Sequence, residues 1–510
     1  MKKTSILLLI IIQCSVSAQV TIPINLQGVV NKKITSQITQ GSKVEIIELT
    51  DNIDPNPNNP AYSSQSVKIL IDGNHEIINL KQVDRIDVQY NNIKEFWIYQ
   101  ALQHSTYKNL LSKGFQYDLR KDLEEDAIEY LNYIKKNNLS FEDSYLESYL
   151  HSLIYKIYPI SILDGRPGIL NIKILKDFTP NAFVFPNGTM FVTTGLLSTI
   201  NSEEELIGIL AHEIAHFVLD HSIVNINKAI QRQKNAEFWA AFATIAAAVT
   251  EGYIASKNSY YVPGALTYST SILALNIANA IKDRLGLKYS REQELEADRC
   301  AVELMKFISV DPLALASALN KIKNYNILNG NYIALTNEGT HPAIDDRINE
   351  IGKPIIFNDE AYDRKISFVN TFNAAVELNS QHFISCIDLA QRNIAANVAT
   401  EDDYLLKATA ILKMYDNEQK NLEAYNLIQE AKTLDILPSL FLTKQESIAL
   451  IRLNNLSQAK LSILKYIEEI ETEKQIQDKT LDVSLRKIMN DFLNEEFKWA
   501  VKMVHKVEKL

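Results

Sequence analysis

A chain of 510 residues is longer than one hydrophobic core sustains, roughly 250–300 residues, so several domains are expected. Its composition, 46% hydrophobic and 22% charged, is that of a globular protein. A formal net charge of −10 without any basic cluster leaves no electrostatic footprint for nucleic acid or for an anionic membrane face.

The opening stretch "MKKTSILLLIIIQCSVSAQV" joins Lys2 and Lys3 to a short apolar run and to small residues ending at Ala18. That pattern predicts a signal peptide over residues 1–18, hence export from the cytoplasm. The run is too short to span a bilayer, and no transmembrane helix is expected in the mature chain. Cys14 leaves with the leader; Cys300 and Cys386 then read as two buried free thiols rather than a disulfide framework.

Residues 19–92 alternate short strand patterns, "KVEIIEL", "VKILID" and "RIDVQY" among them, with turn-rich pieces. A small all-β module is predicted, with an SH3-like barrel as its form. Residues 93–139 read as a helical connector, and helical periodicity continues through "SYLESYLHSLIYKI". Two strand-like pieces, "ILNIKILKD" and "GTMFVTTGLL", flank "NAFVFPNG". Residues 203–222 form an amphipathic helix, with Asn201 or Ser202 as N-cap and Glu203, Glu204 and Glu205 at its positive end. The apolar run "FWAAFATIAAAVT", residues 238–250, is too short for a membrane span and reads as a buried or hairpin helix, with a flap that touches membrane or substrate as the alternative. Residues 361–510 are helix after helix. There Ala-x-x-x-Ile recurs at Ala390/Ile394, Ala424/Ile428 and Ala459/Ile463, at intervals of 34 and 35 residues. A degenerate array of tetratricopeptide-like (TPR-like) hairpins is predicted, a form that presents concave surfaces to peptides or proteins.

The chemistry lies in "AHEIAHFVLDH", residues 211–221. On a helix, His212 and His216 leave the same face one turn apart, the separation two ligands of one metal need. Glu213 is turned by about 100° and can reach a water rather than the metal. His221, five residues past His216, is expected to point elsewhere and to be structural. Catalytic zinc sites take three protein ligands. An H-E-x-x-H-x-x-G-x-x-H arrangement is excluded by Leu219 and Ser222. Glu237 lies downstream without a partner acid. In "SREQELEADRC", Glu294 and Asp298 stand one turn apart, so that Glu294 could ligate while Asp298 holds an imidazole. From spacing alone the third ligand stays open.

Four segments, "NAFVFPNGTMFVTTGLL", "EEELIGILAHEIAHFVLDH", "SREQELEADR" and "THPAIDDRINEI", resemble in order the gluzincin metallopeptidases of the HtpX-like and CAAX-prenyl-protease-like type. The resemblance covers roughly residues 140–355. With the leader and the TPR-like tail, the chain is most similar to soluble periplasmic members that serve outer-membrane protein assembly. It implies a mainly helical zincin-type domain with a short sheet; with the β module, which lies outside the common pattern, and the all-α array, the expected fold is a multidomain α+β protein. It also implies one Zn2+ per chain on His212, His216 and Glu294, Glu213 as general base and Asp298 in support. His341 matches a histidine that can block the open zinc position. Arg347 is implied to position substrate or the loop, and the strand Met190, Phe191, Val192 and Thr193 to be a sheet edge that pairs with an extended substrate, or a plain core strand, the two readings being compatible. The implied activity is peptide-bond hydrolysis on protein or peptide clients, outer-membrane assembly components among them, in the periplasm. A chaperone or scaffold acting through residues 361–510, with latent proteolysis, is the competing reading.

Overall fold

The structure is a computed structural model that describes residues 18–53, 63–104, 127–159 except 129, 133 and 137, 170–225, 287–329, 341, 343–434, 440–480 and 483–509. Residues 1–17 of the leader expected over residues 1–18, Glu237 and the apolar run 238–250 lie outside the described residues. Among those described, no helix is long and apolar enough to cross a membrane.

The N-terminal module is one antiparallel sheet of β1 (Ala18–Val30), β2 (Lys43–Ile53), β3 (Ser63–Ile71), β4 (Asn74–Asn79) and β5 (Ile86–Gln89), in the order β4-β3-β2-β1-β5. Alternation drives it: Leu26, Ile46, Val67 and Ile69 are buried on one face. Between Pro23 and Leu26 the register of β1 shifts, with Asn25 at φ 58°, a bulge that bends the strand. Gly28 lets β5 approach β1, since a Cβ there would meet Ile86 at 2.6 Å. A single 3-10 helix, Leu80–Arg85, returns the chain from β4 to β5.

Residues 93–103, within the stretch 93–139 expected as a helical connector, form a helix. Helix α1 (Ile93–Gln103) buries Phe96 and Trp97 completely and joins the core of the following domain. The Trp97 indole donates to the Ile157 carbonyl at 2.8 Å, and Tyr90 donates to Glu303 at 2.6 Å.

After α2 (Ser144–Ile157) a three-stranded sheet forms from β6 (Asn171–Leu175), β7 (Ala182–Val184) and β8 (Thr189–Thr193), in the order β6-β8-β7. This corrects the reading of Met190, Phe191, Val192 and Thr193 as a sheet edge. Their strand is central, parallel to β6 on one side and antiparallel to β7 on the other, and all four residues are buried. The outer side of β6 is partly covered by residues 139–141, through Phe141 N–H to the Ile174 carbonyl and Lys176 N–H to the Leu139 carbonyl, both 2.9 Å. Among the described residues, no strand covers the outer side of β7.

Short helix α3 (Thr194–Thr199) leads to α4 (Glu203–Val218), capped by Ser202, whose hydroxyl accepts from Glu205 N–H. Helices α5 (Arg291–Phe307), α6 (Leu313–Leu328) and α7 (Ile344–Ile351) complete this domain. Both α5 and α6 pack on α4, and Gly208 admits α6 because a Cβ there would lie 3.1–3.3 Å from Leu315.

The C-terminal region is all helical: α8 (Glu360–Lys365), α9 (Ser367–Asn379), α10 (Phe383–Ala395), α11 (Glu401–Met414), α12 (Glu418–Leu434), α13 (Leu440–Arg452), α14 (Leu456–Thr480) and α15 (Val483–Val507). From α9 onward each packs on its successor. The recurring Ala390, Ala424 and Ala459 are fully buried, on α10, α12 and α14. The stack is bolted to α3: Asn373 donates to the Thr194 carbonyl at 2.8 Å, Tyr362 to the Leu197 carbonyl at 2.8 Å, and Arg392 to the Ser198 and Ile200 carbonyls.

Candidate metal centre

Three helices supply the site. Helix α4 carries His212, Glu213 and His216, all buried. Helix α5 starts from a reciprocal cap between Ser290 and Gln293, which sets its register, and presents Glu294 and Asp298 one turn apart. Helix α7 brings Arg347, and just before it Ala343 turns through φ 60° and His341 enters the site.

Two ligand atoms, each about 2.0–2.1 Å from a tetrahedral ion, stand about 3.3 Å apart. Here His212 Nε2 and His216 Nε2 are 3.0 Å apart, His216 Nε2 and Glu294 Oε1 3.3 Å, and His212 Nε2 and Glu294 Oε2 3.5 Å. His341 Nδ1 lies 3.1 Å from Glu294 Oε1, and one ligand atom from each of these four residues falls within 4.8 Å of the others. The donor set, imidazole and carboxylate, suits zinc. Beside it, Glu213 Oε2 is buried with no hydrogen-bond partner among the described residues. A buried carboxylate oxygen left unpaired is costly and points into space meant for something else.

The electrostatics agree with a cation site. Burial pushes Glu294 up, yet Arg347, His341, His212 and His216 outweigh it and hold the carboxyl well below its ordinary range. His216 is pushed well down by burial and is neutral. For His212, burial and Arg347 act downward, but Asp298 and Glu294 prevail and carry it up to about 9. The two Nε2 atoms face each other across 3.0 Å, a separation that a shared cation can span. Burial raises Glu213 as well, against His341 and His212, as a proton acceptor near neutrality requires.

The structure brings Asp298 Oδ1 within 2.8 Å of His212 Nδ1, the supporting contact anticipated for it. Arg347 is placed differently from the substrate-positioning role implied for it. It is 1% exposed, and its guanidinium is taken up by Glu294 at 2.6 Å and by Asp298 at 2.7 and 2.8 Å. His221 does not point elsewhere: its Nδ1 lies 2.7 Å from His216 Nδ1. Helical extrapolation fails there because α4 stops at Val218 and Asp220, at φ 56°, folds the chain back. Sequence reasoning also missed Tyr289, whose ring stacks on His216 at 3.6 Å and 10°, and Glu296, 3.1 Å from His221. Glu296 stands on the acid-rich helix already singled out; for Tyr289 only its place just before the Ser290 cap was a signal.

Comparison with known proteins agrees. Residues 146–355 match the model of peptidase family M48. The mitochondrial metalloendopeptidase OMA1 of Schizosaccharomyces pombe is 28% identical over 238 residues, 46% of this chain and 60% of that protein. A protease HtpX homolog of Methylibium petroleiphilum is 32% identical over 159 residues, 30% of this chain and 50% of that protein. A putative beta-barrel assembly-enhancing protease of Vibrio cholerae is 25% identical over 222 residues, 43% of this chain and 41% of that protein. The chain thus spans 60% or less of the length of these relatives. The expected periplasmic address does not stand: several relatives are named as mitochondrial metalloendopeptidases, so likeness of this kind carries no compartment. What it does carry is descent, and residues 146–355 are a peptidase family M48 domain.

Proposed function

We propose that the domain hydrolyses peptide bonds of protein or peptide clients, with one Zn2+ per chain held by His212, His216 and Glu294. The observation that carries this reading is the trio of donor atoms at 3.0, 3.3 and 3.5 Å, set beside the unpartnered Glu213 oxygen. A bound zinc ion supplies Lewis acidity toward water and toward a scissile carbonyl. Glu213 acts as general base, accepting a proton from the attacking water and returning it to the leaving amine. Asp298 holds the His212 ring, and Arg347 neutralises the Glu294–Asp298 pair so that both carboxylates stay ionised in a dry interior. An extended client segment would add to β7, which touches α4 and has its outer side clear of described strands. The N-terminal sheet, with a 3-10 turn before its last strand, is read as SH3-like, and the C-terminal stack as TPR-like hairpins that recruit clients.

Glu213→Gln should keep zinc and fold while hydrolysis of a peptide library falls by about 10²–10⁴-fold. Unchanged turnover would overturn the assignment. One observation favours a second reading, a client-binding scaffold with latent hydrolysis: His341 already stands against Glu294 and 3.8 Å from Glu213. His341→Ala should raise turnover if that ring blocks the site, and lower it if the ring assists the reaction.

A further inference from the structure

We propose that His221, Glu296 and His104 form a hydrogen-bonded file that fixes the ring of His216 and links the C-terminal end of α1 to the metal centre. The proposal rests on the zinc reading above.

The geometry is a continuous chain of side chains. His216 Nε2 faces His212 and Glu294, which leaves Nδ1 on the far side of the ring. That Nδ1 is 2.7 Å from His221 Nδ1. The other nitrogen of His221, Nε2, is 3.1 Å from Glu296 Oε2. The second oxygen of Glu296 meets His104 Nδ1. His104 is the C-cap of α1, the helix that follows the five-stranded sheet. The file runs from a ring with no exposure at His216, through His221 at 4%, to partly exposed Glu296 and His104.

Donor and acceptor chemistry gives the chain a direction. A carboxylate only accepts, so Glu296 takes N–H from His221 Nε2 on one oxygen and from His104 Nδ1 on the other. An imidazole at position 221 that carries a single proton, on the Nε2 facing Glu296, has an acceptor at Nδ1. His216 must then donate from Nδ1, which leaves its lone pair on Nε2, the nitrogen aimed at Glu294 and His212. The reverse order would put a hydrogen on His216 Nε2 and close it to a metal. One arrangement of protons therefore satisfies every contact and also selects the ligating nitrogen. Nothing in the packing demands this: Tyr289 stacking fixes the plane of the His216 ring but not which nitrogen carries hydrogen.

The two histidines are consequently held in different ways. His212 is supported by a carboxylate directly, Asp298 at 2.8 Å, and His216 through an intervening imidazole. His221, Glu296 and His104 are positioning residues, since none is among the four side chains that gather at the centre.

The test is zinc affinity of the full chain by competition with a chromophoric chelator, with the absorption spectrum of the cobalt-loaded protein as a second readout. His221→Ala should weaken zinc binding by about 10–100-fold. Glu296→Gln, nearly isosteric, should also weaken it, because an amide cannot accept from both neighbours. His221→Gln, which can accept at one end and donate at the other, should recover most of the loss. His104→Leu should give the smallest effect. Melting temperatures of the metal-free variants separate this from a loss of packing: the proposal expects affinity and the cobalt spectrum to move in Glu296→Gln with Tm unchanged. A parent that binds zinc tightly, with His221→Ala and Glu296→Gln binding it equally well, would overturn the file and leave the zinc reading intact. A folded parent that takes up no zinc would overturn both.

Discussion

Two carboxylates with no solvent exposure, Glu294 on α5 and Asp403 on α11, show how differently this chain buries the same charge. In the C-terminal stack, Asp403 Oδ1 accepts from the Thr371 hydroxyl at 2.7 Å and the Asn393 amide at 2.9 Å, and Oδ2 from Thr400 N–H at 2.9 Å. Every donor there is neutral and held by a helix start or a neighbouring helix; the network is closed, and its product is register between α9, α10 and α11. Glu294 is surrounded by Arg347, His212, His216 and His341. Three of those partners are imidazoles, which can exchange a hydrogen for a lone pair directed at a cation. Full burial with neutral donors marks architecture, whereas full burial among groups able to change proton count marks a site.

The comparison breaks first at Glu294. Glu294→Ala should abolish stoichiometric zinc, measured by elemental analysis. It also leaves Arg347 buried with half its partners gone, a loss of about 3–5 kcal/mol in denaturant unfolding. Retention of full zinc by a folded Glu294→Ala protein would remove this residue from the centre. Asp403→Ala should be milder, about 1–3 kcal/mol, as the Thr371, Asn393 and Thr400 donors lose their acceptor. Zinc content and peptide hydrolysis should stay at the parent level. A fall in zinc there would mean that the stack and the centre are coupled more tightly than their separate networks suggest.

Much of the centre was legible because it obeys helical arithmetic. His212 and His216 at i and i+4, and Glu294 and Asp298 at i and i+4, need only two regular helices to become two coherent faces. The buried alanines of α10, α12 and α14 were visible for a similar reason, as a period. What stayed hidden depends on how separate elements meet. The short apolar, β-branched run Met190–Thr193 identifies β8 as a strand but carries no information on strand order, so its central place between β6 and β7 could not be read. His221 was misplaced because the helix was extended past Val218, through a left-handed Asp220 that no periodicity announces. The burial of Arg347 could not be read either, since the two carboxylates that pair with it, Glu294 and Asp298, come from another helix. The docking of α1 is of the same kind: Phe96 and Trp97 reveal an apolar face, not the partner that covers it.

The smallest effect concerns the thiols, which separate the two regions by environment alone. Cys300 lies in the peptidase domain on α5 and Cys386 in the stack on α10; both are free and buried. Burial pushes the Cys386 thiol up to about 12, from an ordinary value near 9. Its folded pKa is raised, so its contribution to stability is full below about pH 9 and is lost as pH rises toward 12. Between those values the unfolded chain gains thiolate while the folded chain does not, and stability should fall with increasing pH. Cys386→Ala should flatten that alkaline limb slightly in denaturant titrations. In the native protein at pH 8, a disulfide reagent should label neither cysteine, and both should react once guanidinium unfolds the chain. Rapid native labelling of Cys386 would show that α10 and α11 open at their contact, and that the stack is held less firmly than the closed network around Asp403 requires.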